Sequence, residues 1–192
     1  MDMSTPAGVE EYDLVILGGG TGGTVAAWTF AGEGQRVGVI EREYIGGSCP
    51  NIACLPSKNV IHSAKVASYV RRSDEFGIAG RDFTVDMRVV RERKRRMVSG
   101  WNQIYLENYK KTGAELIFGS GKFSGPRTLE ALLSDGTTRQ LRGKNVIINT
   151  GTQAAFEAIP GLVEAQPLTH VKALELEQVP AHLLVLGSGY IR

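Results

Sequence analysis

Apolar residues in this chain fall in short runs punctuated by glycine. Tyr12 to Leu17 (YDLVIL) is a largely apolar run ending at glycines, a pattern that predicts a buried parallel strand. Gly18 to Gly23 (GGGTGG) follows, and Thr24 to Ala31 then predicts a helix stopped by Gly32 and Gly34. Arg36 to Ile40 (RVGVI) predicts a second strand ending at Glu41. Together these make a βαβ unit of about 30 residues. Helical spacing returns downstream. Ile61, Ala64, Ala67 and Val70 share one face of a helix expected from about Ser57 to Arg72, with Ser57 as its cap. A second helix is expected from Asp86 to Lys111, weakened at Gly100 and ended by Gly113.

Short strands are then expected at Glu115 to Phe118, Thr128 to Leu133, Arg139 to Leu141 and Lys144 to Asn149, with Asp135-Gly136 as a hairpin turn. Residues 152–180 carry Pro160, Pro167 and Pro180 with little periodicity and read as a connector. Leu183 to Leu186 (LLVL) predicts one more buried strand, running into Gly187-Ser188-Gly189. A strand followed by glycines therefore stands near both ends of the chain.

Composition narrows the class. At 192 residues and 42% hydrophobic, the chain suits one globular domain or a domain and a half. A formal charge of +2 gives no general case for nucleic-acid or membrane partners. Two cysteines exclude a disulfide-rich scaffold and a four-cysteine zinc site. The polar start lacks a signal-peptide pattern, and no apolar run reaches the ~20 residues of a membrane helix, so a cytoplasmic location is expected. The basic run Arg88, Arg91, Arg93, Lys94, Arg95 and Arg96 reads as a solvated helix face, with a nucleic-acid patch as the minor alternative. His62, His170 and His182 read as surface or packing residues, and Trp28 and Trp101 as helix-packing residues. No metal site is expected.

Gly18, Gly20 and Gly23 form G-x-G-x-x-G between a strand and a helix. The first glycine permits the tight turn, the second lets a pyrophosphate approach the backbone, and the third lets helix and strand pack closely. An anion then meets N–H groups at a helix N-terminus. Glu41, 18 residues beyond Gly23, is placed to accept hydrogen bonds from a ribose diol. The pattern indicates a dinucleotide but does not separate FAD from NAD, and a plain NAD-dependent dehydrogenase shares it.

The second motif runs from Gly46 to Lys58 (GGSCPNIACLPSK), with Cys49 and Cys54 five positions apart. In a regular helix that spacing rises ~7.5 Å, beyond the ~7 Å Cα limit for a disulfide. The pair could bond only with Cys49 in a non-helical lead-in, which Pro50 favours. A cysteine near a helix N-terminus lies where the dipole favours an anion. Two inert thiols and a two-cysteine metal half-site are the alternatives.

The segment resembles the redox-active disulfide motif of the class I pyridine nucleotide–disulfide oxidoreductases, which include dihydrolipoamide dehydrogenase, glutathione reductase and mercuric reductase. Gly46, Gly47, Cys49, Asn51, Cys54, Pro56, Ser57 and Lys58 match the family pattern, while Ser48 and Ala53 depart from it. The Ser-Lys ending is similar to the lipoamide and mercuric enzymes. Gly119 to Phe123 resembles the family segment that meets the adenine end of FAD. Thr150 and Gly151 match, and Asn149 stands where the family usually has Ala. Gly187 and Gly189 resemble the start of a second fingerprint, for NAD(P)H, whose third glycine position holds Arg192.

The resemblance implies an α/β fold. It implies a Rossmann-like FAD-binding domain with a small antiparallel β-meander over residues 1–151, a connector over 152–180, and the first strand and turn of a truncated NAD(P)-binding domain over 181–192. It implies a flavin-dependent disulfide oxidoreductase passing electrons from NAD(P)H through FAD to a Cys49–Cys54 disulfide, and on to a small disulfide or metal-ion acceptor. Cys49 would be the interchange thiol, Cys54 the thiolate against the flavin, and Lys58 a positive charge near the flavin ring. Gly18, Gly20, Gly23, Glu41, Arg42, Gly47, Ser48, Gly121, Thr150 and Gly151 would hold FAD, and Gly187 and Gly189 would begin the NAD(P) site. The full-length form would be a homodimer. A catalytically incomplete nucleotide-binding fragment is the alternative, and the chain alone is expected to be inactive.

Overall fold

The computed structural model describes residues 8–80, 82–156 and 158–187, and among these five strands and three helices longer than two turns make up most of the regular structure. Strand β1 (Val9–Leu17) leads into helix α1 (Thr21–Gly32) and strand β2 (Val37–Glu41). A single turn, α2 (Ser48–Asn51), precedes α3 (Cys54–Arg71), a 3-10 turn (Ser73–Phe76) and the 26-residue α4 (Met87–Thr112). Strands β3 (Glu115–Gly125), β4 (Thr128–Leu133) and β5 (Thr138–Ile148) follow, and α5 (His170–Ala173) is one turn within an otherwise irregular stretch.

By internal contacts the chain divides into two compact units, Met1–Asn51 with Trp101–Thr152, and Ile52–Gly100 with Gln153–Arg192. In the first unit, β2 pairs in parallel with β1 and β3, and β1 pairs in parallel with β5. That gives a parallel layer in the order β3-β2-β1-β5. The far half of β3, then β4, then the near half of β5 form an antiparallel meander that closes the strands into a ring. The mixed α/β architecture with an antiparallel meander therefore matches the expectation from sequence.

Strand β2 is buried at all five positions, as expected for a strand paired on both sides and covered on both faces. Its neighbour β1 alternates. Leu14 and Ile16 pack with Ala27 and Ala31 of α1 and Tyr109 of α4, while Val15 packs with Ile40, Ile117, Leu129 and Leu141 inside the ring. Each such side chain fully withdrawn from water contributes about 1.5–3 kcal/mol.

Several sequence expectations are corrected. The segments expected at Arg139 to Leu141 and Lys144 to Asn149 are one continuous strand that ends at Ile148, because β5 must serve β4 with one half and β1 along most of its length. Helix α3 begins at Cys54, and Ser57 is not its cap; the Ser57 hydroxyl donates to the Cys54 carbonyl at 3.1 Å inside the first turn. Leu183 to Leu186 is not a buried strand. It pairs with no strand among the described residues, and Leu184 is 86% exposed. Trp101 is 40% exposed, whereas Trp28 does pack, with its ring 5.2 Å from that of Tyr105 and 5.7 Å from that of Tyr109.

The second unit corrects the basic run. Lys94 is only 3% exposed and pairs with Glu175, which also takes Arg95 at 2.7 Å. Arg91 pairs with Glu177, and Arg93 bonds Ser63 of α3 at 2.8 Å. Lys94 is buried and Arg91 and Arg93 are half-buried, because Glu175 and Glu177, some 80 residues later, return to this face, while Arg88, Arg95 and Arg96 are exposed as expected. The three histidines are exposed, as expected.

Candidate functional site

The glycine turn links the end of β1 to α1, and each of its unusual features has a local cause. Gly18 has φ +100°, and a Cβ there would lie 2.3 Å from the Asn149 carbonyl oxygen. A Cβ on Gly23 would lie 2.7 Å from the Gly18 carbonyl oxygen and 2.9 Å from Ile16, so helix and strand approach as the third glycine of the motif predicts. Helix α1 starts at Thr21 rather than Thr24, which places Gly22 and Gly23 in its first turn. Gly20 caps it without a side-chain hydrogen bond, and no acidic residue stands in the first turn. An N-terminus of this kind, with backbone N–H groups and no carboxylate of its own, suits a diphosphate. The uncapped start of α1, with no side-chain hydrogen bond at Gly20 and no acidic residue in its first turn, is the feature that fits the diphosphate of a dinucleotide.

Glu41, at the end of β2, is 8% exposed. One of its oxygens accepts the Gly19 N–H at 2.7 Å, and the other accepts the N–H groups of Glu43 and Tyr44 at 2.7 and 2.9 Å. The carboxylate thus braces the glycine turn and the following loop. Three bonds leave part of a carboxylate's acceptor capacity for a ribose hydroxyl. Thr24 adds a second brace, donating its hydroxyl to the Gly19 carbonyl at 2.8 Å and lying 3.1 Å from the Tyr109 hydroxyl. Burial pushes the Tyr109 phenol up to about 12.

The lead-in of the cysteine motif lies against this turn. Gly20 and Gly46 form a parallel bridge, and a Cβ on Gly47 would lie 2.6 Å from the Gly20 Cα. Both Gly46 and Gly47 have positive φ, at +79° and +76°. Asn51 folds the loop onto itself, donating its side-chain N–H groups to the Ile45 and Gly47 carbonyls at 2.8 and 2.7 Å. The Tyr105 ring lies on Gly46, 2.5 Å from where a Cβ would stand. Its phenol is raised first by burial and second by Cys49 nearby.

Cys49 and Cys54 are both thiols in the structure, the first half-buried and the second exposed. A non-helical lead-in at Cys49 is the condition the spacing sets for bonding to Cys54, and Pro50 favours it; Cys49 sits instead in the single turn α2, and the helix is interrupted after it, at Ile52 and Ala53. Pro50 is tolerated because a first turn needs no N–H from it. Ala53 has φ −132°, so the departure from glycine at this position carries no left-handed strain. Cys54 and Lys58 lie on the first turns of α3 in the second unit, both exposed.

The first unit thus brings together Gly18, Gly20, Gly23, Glu41 and Gly47, with Cys49 two residues after Gly47 and Thr150 beside Gly18. Arg42, Ser48, Thr150 and Gly151 are exposed. Gly121 lies within β3, where a Cβ would meet Leu17 at 2.4 Å, so its smallness serves sheet packing. Gly187 is exposed with φ +112°, and Gly189 and Arg192 lie outside the described residues. Nothing in the sequence signalled the roles of Thr24 and Tyr105 in this region; Asn51 carried a signal as a match to the motif, and Asn149 only as a departure from the family pattern. Among the described residues no group of three metal-ligating side chains occurs, and no helix is long and apolar enough to cross a membrane.

Residues 12–191, which hold a dinucleotide turn joined to the lead-in of a two-cysteine loop, match the family model for the pyridine nucleotide-disulphide oxidoreductases. The chain belongs to that family. It is 35% identical to a dihydrolipoamide dehydrogenase of Chaetomium thermophilum over 94% of this chain and 36% of that enzyme. It is 32% identical to a mercuric reductase of Staphylococcus aureus, over 94% of this chain and 32% of that one. Among solved structures, the HOCl-induced flavoprotein disulfide reductase RclA of Escherichia coli superposes with a TM-score of 0.78 at 28% identity, over 94% of this chain and 38% of that one. The chain therefore spans about a third of the length of the relatives it matches.

Proposed function

We propose that this chain is the FAD-binding part of a flavin-dependent disulfide oxidoreductase, in which reducing equivalents from NAD(P)H reach Cys49 and Cys54 and pass to a disulfide or metal-ion acceptor. The observation that carries this reading is the bridge between Gly20 and Gly46, which ties a dinucleotide turn to the lead-in of a two-cysteine motif within one compact unit. FAD, when bound, would supply two-electron exchange between a nicotinamide and a thiol pair. The remaining work falls to the chain. The N–H groups at the start of α1 receive the diphosphate. Glu41 accepts from the ribose, with Arg42, Gly47, Ser48, Gly121, Thr150 and Gly151 completing the FAD contacts and Lys58 placing positive charge near the ring. The Cys49 thiolate attacks an acceptor disulfide, forming a mixed disulfide and releasing one thiol. The Cys54 thiolate then attacks Cys49, forming the Cys49–Cys54 disulfide and releasing the second thiol.

In this reading residues 1–151 form the FAD domain and 152–180 a connector. Residues 181–192 begin an NAD(P) domain at Gly187 and Gly189, and the full-length protein is a homodimer working on a small substrate. A nucleotide-binding chain without turnover is the second reading. Adding FAD to the purified chain tests the first. One FAD per chain with a protein-bound visible spectrum supports it, and a colourless protein that takes up no FAD sinks it. NAD(P)H-dependent disulfide reduction by the full-length protein, lost in Cys49→Ser, separates the two readings.

A further inference from the structure

Asn149 lies just beyond β5, and its backbone N–H donates to the Leu17 carbonyl at 2.8 Å, continuing the ladder to the end of β1. Its side chain then turns back over the glycine motif. Nδ2 donates to the Gly18 carbonyl at 3.0 Å. The same nitrogen lies 2.8 Å from where a Cβ would stand on Gly20 and 2.8 Å from where one would stand on Gly23, while Oδ1 lies 3.5 Å from that of Gly22. The space that Gly20 and Gly23 leave is thus occupied by a carboxamide of this chain.

Two other side chains hold Gly19, Glu41 on the same peptide group as Asn149 and Thr24 on the next. Glu41 accepts the Gly19 N–H at 2.7 Å, and Thr24 donates to the Gly19 carbonyl at 2.8 Å. With Asn149 on the Gly18 carbonyl, two successive peptide groups of the turn are fixed by side chains from three different elements of the unit. None of the three side chains caps the helix itself, which has no side-chain cap at Gly20.

We propose that Asn149 is a positioning residue for diphosphate binding. Its carboxamide clamps the Gly18 carbonyl and holds the turn in the shape that presents the first N–H groups of α1 to a diphosphate. The inference rests on the dinucleotide reading above and adds to it a residue that acts through the backbone. Loss of the clamp leaves the Gly18 carbonyl without this donor and opens a void between Gly20 and Gly23, so the turn samples other shapes and the N–H groups diverge. An isosteric carboxylate is worse, because it sets an acceptor against the Gly18 carbonyl and negative charge beside the diphosphate.

The test measures ADP and adenosine binding to the 192-residue chain, by competition against FAD fluorescence, together with melting of the nucleotide-free protein. Asn149→Ala is expected to weaken ADP about tenfold, the scale of one lost hydrogen bond, and to leave adenosine within about twofold. Asn149→Asp is expected to weaken ADP further, again sparing adenosine; if that variant does not fold, Asn149→Ala decides alone. Equal loss for both ligands, matching a general drop in melting temperature, assigns Asn149 a merely structural role and overturns the proposal. Unchanged ADP affinity overturns it as well. A wild-type chain that binds neither FAD nor ADP removes the dinucleotide reading itself, an outcome distinct from a variant that binds like wild type.

Discussion

Tyr12 of β1 donates its hydroxyl to the Glu115 carboxylate of β3 at 2.6 Å, across the intervening strand β2. Burial, with Glu115 beside it, raises the Tyr12 phenol well above its ordinary value of 10.0, and burial pushes Tyr109 up to about 12. Both groups keep their protons in the folded chain at a pH where the unfolded chain loses them. Their contribution to stability is complete below about pH 10 and falls as pH rises from there, through about 12 for Tyr109 and at still higher pH for Tyr12. Urea midpoints should be level from pH 8 to 10 and fall above that. Tyr12→Phe should cost about 1 kcal/mol at pH 8 and flatten the alkaline fall. A midpoint unchanged to pH 12 would contradict this account.

The acid limb follows from the partner of the same cluster. Arg139 bonds both Glu10 oxygens, at 2.7 and 2.6 Å, and holds that carboxyl below its ordinary 4.5. A depressed carboxyl stabilises above its unfolded value, and the contribution disappears as pH falls from there through the folded value. Arg139→Gln should shallow the loss of stability between about pH 5 and 3. Glu10 is partly exposed, so solvent screening limits the effect to under about 1 kcal/mol. Parallel acid titrations of the two proteins by circular dichroism would decide it, and superimposable curves would rule the pair out.

Lys94 and Glu175 make an asymmetric pair, with a lysine side chain 4% exposed and a glutamate side chain 42% exposed. Glu175→Gln strands a buried ammonium and should cost about 1–2 kcal/mol, less than a fully buried pair because Glu175 keeps contact with water. Lys94→Met removes the charge and fills the same space, and should be near neutral. Hydrogen exchange along α4 and in residues 170–177 would report both changes, and equal effects from the two substitutions would refute the asymmetry.

Gly23→Ala should be among the most damaging single-methyl changes in the chain. The added carbon meets the Gly18 carbonyl oxygen at 2.7 Å, the Asn149 amide nitrogen at 2.8 Å and Ile16 at 2.9 Å, none of which is the loose end of a flexible side chain. A cost of about 1–3 kcal/mol is expected from overpacking, with loss of FAD uptake. Gly32→Ala, with open space around the position, serves as the control and should be silent in both thermal melting and FAD titration.

The two cysteines should be distinguishable without any cofactor. Cys54 is exposed and Cys49 half-buried beside Tyr105. Brief treatment with iodoacetamide followed by peptide mapping should find Cys54 modified several-fold faster, since access to the thiol governs this difference. Faster labelling of Cys49 would show that exposure does not order their reactivity.

Local pattern made much of this protein readable before any coordinates. The apolar run at Tyr12 to Leu17, the glycines after it and the strand ending at Glu41 are short-range features, and steric limits on the backbone act at the same range. Asp135-Gly136 likewise turns the chain, with Gly136 at φ +83°, because the turn depends on residues next to each other. The cysteine motif carried its resemblance in 13 consecutive residues, from Gly46 to Lys58.

Tertiary structure decided whatever depends on a distant partner. Arg139 to Leu141 and Lys144 to Ile148 join into one strand because β1 and β4 both require pairing there. Lys94 is buried because Glu175 returns to it, and no spacing within α4 encodes that return. Leu183 to Leu186 has the composition of a strand but stands exposed, since a strand exists only with a neighbour to share its hydrogen bonds. Asn149 was visible only as a departure from a family pattern. Its carboxamide became part of the glycine turn through a fold that brings residue 149 within hydrogen-bond reach of residue 18. Periodicity and turn chemistry act over a few residues, whereas pairing, burial of charge and the bracing of a binding turn are set by contacts across the folded chain.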